Sequence, residues 1–69
     1  MPTFYEIRLE GLLDPAWSEW LQGLAITPQE NGETLLSGPL ADQAALHGLL
    51  NRIRDMNLNL VRVEKKENL

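Results

Sequence analysis

The N-terminal stretch "TFYEIRLE" alternates between apolar and polar positions, and its apolar side carries Tyr5, Ile7 and Leu9. A period of two with aromatic and β-branched residues predicts a half-buried strand, which Gly11 ends. The stretch "NLNLVRVEKK", residues 57–66, returns to this alternation near the end of the chain. It therefore predicts a last strand.

Two further short strands are predicted in "LAITPQENGETLLSG". Asn31 and Gly32 are typical of a tight hairpin turn, because these residues adopt positive φ angles easily. Pro28 has no amide hydrogen to donate to a neighbouring strand. The first strand of this hairpin is therefore expected at a sheet edge.

Two segments have the three- and four-residue spacing of helices. Asp14 and Pro15 suit the start of the first, and Gly23 suits its end. The second lies in "GPLADQAALHGLLNRIRDM", where Gly38 and Pro39 break the preceding strand and Asp42 is the expected N-cap. Its apolar stripe consists of Ala45, Leu46, Leu49, Leu50, Ile53 and Met56.

The element order strand, helix, strand, strand, helix, strand predicts an α+β protein with the ferredoxin-like split βαβ (βαββαβ) fold. In this fold a four-stranded antiparallel sheet carries two helices on one face. The first and third strands are central and the second lies at an edge. Residues 1–69 are expected to form a single domain with a solvated tail over about residues 65–69.

Two stretches, "YEIRLEGLLDPAWSEWLQGLAIT" and "LLSGPLADQAALHGLLNRIRDMNLNLV", resemble a group of small bacterial proteins that have no assigned function. The resemblance covers about residues 5–63 and supports the predicted order of strands and helices. It implies no catalytic or binding residue.

The amino-acid composition argues against several classes of function. The 69 residues include no cysteine and one histidine, His47, which excludes disulfides and argues against a zinc site. A net charge of −4 with scattered basic residues argues against nucleic acids and anionic membranes as partners. No apolar run reaches membrane-spanning length. We expect a cytoplasmic protein without a cofactor, metal or catalytic residue.

Both tryptophans, Trp17 and Trp20, lie on the apolar arc of the first predicted helix. The interpretation favoured by this pattern is that they pack in the core between helix and sheet. The alternative is a position at the rim of the core, with a ring partly exposed at an interface or a ligand site.

The sheet face opposite the helices is expected to be open to solvent. We predict that it carries the interface residues Phe4, Glu6, Arg8, Leu60 and Arg62, with Glu6 opposite Arg62. A small domain without disulfides or metal gains stability by association. The leading hypothesis is therefore a non-enzymatic interaction module that self-associates, as a dimer by preference, through this face or a strand edge. Docking of another protein is the variant of this hypothesis.

Two other functions stay open. A small-ligand regulatory domain would have its site at the turn of Gly11 or at the turn of Gly38, each of which precedes a predicted helix. A tautomerase-like enzyme would use Pro2 as an N-terminal general base after removal of Met1. His47 has no nucleophile placed beside it by sequence spacing, which argues against a catalytic role.

Overall fold

The computed structural model describes residues 2–66, which form a four-stranded antiparallel sheet and one α-helix. The elements in chain order are β1 (Thr3–Glu10), a 3₁₀ turn (Pro15–Ser18), β2 (Ala25–Pro28), β3 (Glu33–Leu40), α1 (Gln43–Asp55) and β4 (Asn59–Lys66). Across the sheet the strands follow the order β2-β3-β1-β4. The first and third strands are therefore central, as predicted, and β2 and β4 form the two edges.

The predicted two-helix, ferredoxin-like βαββαβ fold is wrong. In the part of the chain that the structure describes, the first predicted helix is replaced by the 3₁₀ turn of four residues. The predicted start is confirmed, since Asp14 accepts a 2.9 Å hydrogen bond from the amide of Ala16 and Pro15 opens the turn. The segment ends where Gln22 and Gly23 take φ angles of 60° and 77°, which no α-helix can continue.

The predicted apolar arc enters the core only in part, because the winding of this segment is irregular. Beyond the 3₁₀ turn the amide of Leu21 donates to the carbonyls of both Trp17 and Ser18, and the amide of Gly23 donates to the carbonyl of Ser18. Leu21 is buried and both tryptophans are about half exposed. A helical period of 3.6 residues would have placed all three side chains on one side.

The second predicted helix is confirmed as α1. Asp42 is its N-cap and accepts a 2.8 Å hydrogen bond from the amide of Ala45. Three members of the predicted stripe are buried, namely Leu46, Leu49 and Ile53, and the others pack at the margin of the core. The amphipathic pattern therefore identified the face that α1 turns toward the sheet.

Two strand boundaries differ from the prediction. Gly38 and Pro39 continue β3 as far as Leu40 and do not break it. The last β2–β3 pair joins Ala25 and Ser37, so beyond Ser37 β3 is paired with β1 but not with β2. A strand segment that is paired on one side tolerates a proline. At the other end of the chain β4 extends through Lys66, so the predicted tail begins no earlier than residue 67, and residues 67–69 lie outside the described part.

Apolar side chains from the helix side of the sheet, from α1 and from the β1–β2 connection form one core. Thr34 is a fully buried polar residue at its margin. Its Oγ1 donates a 2.7 Å hydrogen bond to the carbonyl of Gly11 and accepts a 3.1 Å hydrogen bond from the amide of Leu13. The amide of Gly11 also donates to the carbonyl of Gly32. The connection leaving β1 is therefore fixed to β3 and to the β2–β3 turn.

Replacing Thr34 by valine preserves its shape but removes both hydrogen bonds. We expect Thr34→Val to lower the free energy of unfolding by roughly 1–3 kcal/mol, because two backbone groups lose their partner. Urea unfolding measures this change. Thr27→Val, at an exposed threonine of β2, is the control and should change stability little. Equal stability of the two variants would show that the Thr34 hydroxyl does not hold the connection.

Two glycines are expected to respond in opposite directions to alanine. A Cβ at Gly38 would lie 2.5 Å from Cδ2 of the buried Leu24, so Gly38→Ala should destabilise by roughly 1–3 kcal/mol. A Cβ at Gly48, inside α1, meets only Gln22 Nε2 at 3.7 Å. Gly48→Ala should therefore stabilise by roughly 0.5–1 kcal/mol. Thermal unfolding of both variants checks the signs, and a stabilising Gly38→Ala would contradict the close packing of Leu24.

Candidate interaction surface

The two edges of the sheet differ in what they expose. β2 has four residues and includes Pro28, which limits pairing with a further strand. β4 has eight residues and no proline, and only β1 pairs with it in the described chain. Its outer backbone groups are therefore a template for another strand.

A β-bulge sets which side chains β4 presents. Arg62 lies opposite Arg8, but the next pair joins Leu60 to Leu9, which leaves Val61 without a partner residue in β1. Leu9 belongs to the core, so the bulge brings Leu60 to the helix side of the sheet. Val63 lies on that side too, opposite Ile7.

The aliphatic side chains of β4 are only partly covered. Leu60 is 47% exposed, Val61 49% and Val63 37%, although these are apolar residues in a strand. We call Leu60, Val61, Val63 and the free backbone of β4 the apolar β4 edge. Unpaired strand backbone and exposed aliphatic side chains occur together here, a combination that favours association.

The opposite sheet face carries charged side chains that are paired within the chain. Arg8 Nη1 lies 3.7 Å from Glu33 Oε1, and Lys66 Nζ lies 3.6 Å from Glu6 Oε1. Arg62 Nε lies 3.5 Å from Glu64 Oε2. Such exposed pairs contribute little to stability, but burying them would remove their solvation.

Four of the predicted interface residues meet on this charged face. The strand register puts Phe4, Glu6, Arg8 and Arg62 there, whereas Leu60 lies on the helix side because of the bulge. The predicted pairing of Glu6 with Arg62 is wrong, since Glu6 lies opposite Glu64. Phe4, opposite Pro39, is 37% exposed and is the large apolar residue of the predicted set that remains on this face.

Glu64 and Lys66 stabilise each other's charge on this face. Oε1 of Glu64 accepts a 2.9 Å hydrogen bond from the Lys66 ammonium. That bond, followed by the charge of Arg62, lowers the pKa of Glu64 below its ordinary value of 4.5, and the same contact raises the pKa of Lys66 above 10.5. The stability from Glu64 is thus complete above pH 4.5 and disappears as the pH falls through the lowered folded pKa.

The core prediction for the tryptophans is wrong. Trp17 is 48% exposed and Trp20 46%, so the alternative position at the rim describes both. Arg52 of α1 donates a hydrogen bond to the carbonyl of Trp20, and its guanidinium carbon lies 4.7 Å from the centroid of the Trp20 ring. This cation–π contact ties the β1–β2 connection to α1.

The two predicted ligand turns do not meet in space. Gly11 follows the end of β1 with a φ of 99°, and its amide donates to the hairpin turn. Gly38 is buried inside β3, level with Tyr5 and packed under Leu24. Along the strands the two glycines are separated by roughly 20 Å, so they do not form one site.

The other candidate residues are at the surface. Pro2 and His47 are exposed, and the side chain of Gln43, one helical turn before His47, donates to the Tyr5 hydroxyl at 3.4 Å. Within residues 2–66 no group of three or more histidine, aspartate or glutamate side chains is arranged to hold a metal ion. In the same range no helix is both long and apolar enough to cross a membrane.

Sequence reasoning missed Val61 and Val63 as surface residues. Their alternation with polar neighbours predicted that they lie on the helix side of the sheet, where two helices were expected to cover them. The adjacent apolar residues Leu60 and Val61 interrupt a strict period of two, and this was the available signal of the bulge.

The geometry can now be set beside known proteins. A family model described as "Domain of unknown function (DUF8691)" matches residues 4–64, a range that reaches from β1 into β4. No curated protein and no solved structure matches the chain.

Removing the Lys66 ammonium should raise the lowered pKa of Glu64. We expect Lys66→Met to raise that pKa toward 4.5, with part of the lowering retained because Arg62 remains nearby. Carboxyl ¹³C NMR titration measures the midpoint. Lys65→Met is the matched control, since Lys65 lies opposite Tyr5 on the other side of β4. A Glu64 midpoint that moves equally in both variants would contradict the specific contact.

Proposed function

The chain belongs to the family described as a domain of unknown function (DUF8691), and we propose that it is a non-enzymatic interaction module that associates with a second copy through the apolar β4 edge. The observation that carries this proposal is that, within residues 2–66, β4 has eight strand residues without an outer neighbour, together with three aliphatic side chains that are 37–49% exposed. The proposal also keeps the bacterial, cytoplasmic setting that the sequence implies.

Association through β4 stabilises the chain in two ways. Backbone donors and acceptors on the outer side of β4 gain partners in a second strand, as they do in the interior of a sheet. Leu60 and Val63, which α1 does not cover completely, lose contact with water. A chain of 69 residues has a small core, so burial of this size matters to its stability.

The charged sheet face is the weaker candidate for the interface. Its ion pairs Arg8–Glu33 and Glu6–Lys66 are already formed within one chain. Burial against a second copy would cost desolvation without supplying new partners. Phe4 is the large apolar side chain that would offset this cost there, whereas the apolar β4 edge has three exposed aliphatic side chains.

A carboxylate on the apolar β4 edge should prevent association. We expect Val63→Glu to shift the mass measured by light scattering toward that of the monomer across a hundredfold range of concentration, because the new charge would have to be desolvated. Leu12→Glu introduces the same charge at an apolar residue that is 67% exposed in the β1–β2 connection, and it should leave the mass unchanged.

A third variant distinguishes the two candidate interfaces, the apolar β4 edge and the charged sheet face. Phe4→Glu should leave the mass unchanged if β4 is the interface. If Phe4→Glu lowers the mass measured by light scattering and Val63→Glu leaves it unchanged, the chain associates through the charged face. Circular dichroism of all three variants confirms that they are folded, and a monomeric unaltered chain would contradict the proposal directly.

A further inference from the structure

Charged residues of both signs flank Val63 along β4. Its regular part, beyond the bulge, reads Arg62, Val63, Glu64, Lys65, Lys66. Arg62 and Glu64 lie on the charged face of the sheet, and Val63 between them lies on the helix side. This order has a consequence for how two copies of β4 can pair.

A symmetric dimer that continues the sheet has its two-fold axis perpendicular to the sheet between the two β4 strands. Two antiparallel copies then pair so that one residue faces its own copy, because only this arrangement keeps both helices on the same side. In the regular part of β4 the residue on the axis must be one of Arg62 to Lys66.

Charge selects among these registers. With Arg62, Glu64, Lys65 or Lys66 on the axis, two like charges face each other, which destabilises strand pairing. With Val63 on the axis, an uncharged residue faces itself on the helix side. Arg62 then lies opposite Glu64 of the second copy, and Glu64 opposite its Arg62, so the register has two equivalent pairs of opposite charge.

We propose that two copies of this chain form a continuous eight-stranded sheet in which Val63 lies on the two-fold axis and Arg62 pairs with Glu64 of the other copy. The inference rests on the proposed function and specifies its partner and register. The three central pairs all lie beyond the bulge, where β4 is regular. Lysine often protects an edge strand from pairing, but in this register neither Lys65 nor Lys66 faces its own copy.

A charge exchange tests the register. Arg62→Glu alone and Glu64→Arg alone each place like charges at both central pairs, and each should weaken the dimer by roughly tenfold or more. Mixing the two variants places opposite charges at both pairs and should restore a heterodimer. Native mass spectrometry distinguishes it, because the two variants have different masses. Failure of the mixture to form heterodimers would overturn the register.

A matched pair of variants excludes a general attraction between acidic and basic chains. Arg8 lies beside Arg62 and Glu6 beside Glu64 on the central strand β1. Arg8→Glu mixed with Glu6→Arg carries the same charge changes away from the edge, and should show no preference for heterodimers. Equal preference in both mixtures would overturn the register.

Thiol cross-linking gives an independent readout, since the chain contains no cysteine. In the proposed register Val63→Cys faces its own copy, at roughly 5 Å between Cβ atoms, and a short bismaleimide should link two chains. Val61→Cys is the control, because its two copies lie roughly 13 Å apart along the strand pair. A Val61→Cys variant that cross-links more efficiently than Val63→Cys would contradict the register.

The outcomes separate the two proposals. An unaltered chain that remains monomeric contradicts both the interaction module and this register. A dimer that Val63→Glu disrupts, but in which the charge exchange or the cross-link fails, supports association through β4 and overturns the register alone.

Discussion

The path of the chain between β1 and β2 determines most of this structure, and one buried hydroxyl fixes where that path begins. Thr34 contacts Gly11 and Leu13 through Oγ1, and its hydrogen bond to Leu13 is buried while that to Gly11 is partly buried. A connection displaced from this position would leave buried backbone groups without partners. From this anchor Leu21 and Leu24 reach the core, while the tryptophans remain at its rim.

This path also decides which strands are covered. The 3₁₀ turn packs beside β2, and α1 contacts β3 and β4, so the helix side of the sheet is covered unevenly. Leu60 and Val63 lie on the edge strand β4, where α1 covers the sheet incompletely. The chain thus has one short edge that ends in Pro28 and one long edge with exposed aliphatic residues, and this asymmetry distinguishes β4 as a surface for association.

The parts of the fold that sequence predicted correctly are those with local physical causes. The alternation of Tyr5, Ile7 and Leu9 gave β1 with its bounds, and the Asp42 cap with the stripe through Leu49 and Ile53 gave α1. For the candidate site, the same reasoning placed Phe4, Glu6, Arg8 and Arg62 on one sheet face. It named Leu60 as an interface residue but missed Val61 and Val63, because it assumed that two helices would cover the side of the sheet to which it assigned them.

The sequence by itself determined the strands, the two aspartate caps and the core-facing sides of β1 and α1, because these depend on neighbours two to four positions away. Only the tertiary structure decided that residues 15–18 wind as a 3₁₀ turn and that β4 carries a bulge at Val61. The turn packs against β2, and the bulge arises where β4 pairs with β1, which is distant in sequence. In such pairing a change of one residue moves a side chain to another face. The position of Leu60 on the helix side and the exposure of Val63 therefore followed from the assembled sheet.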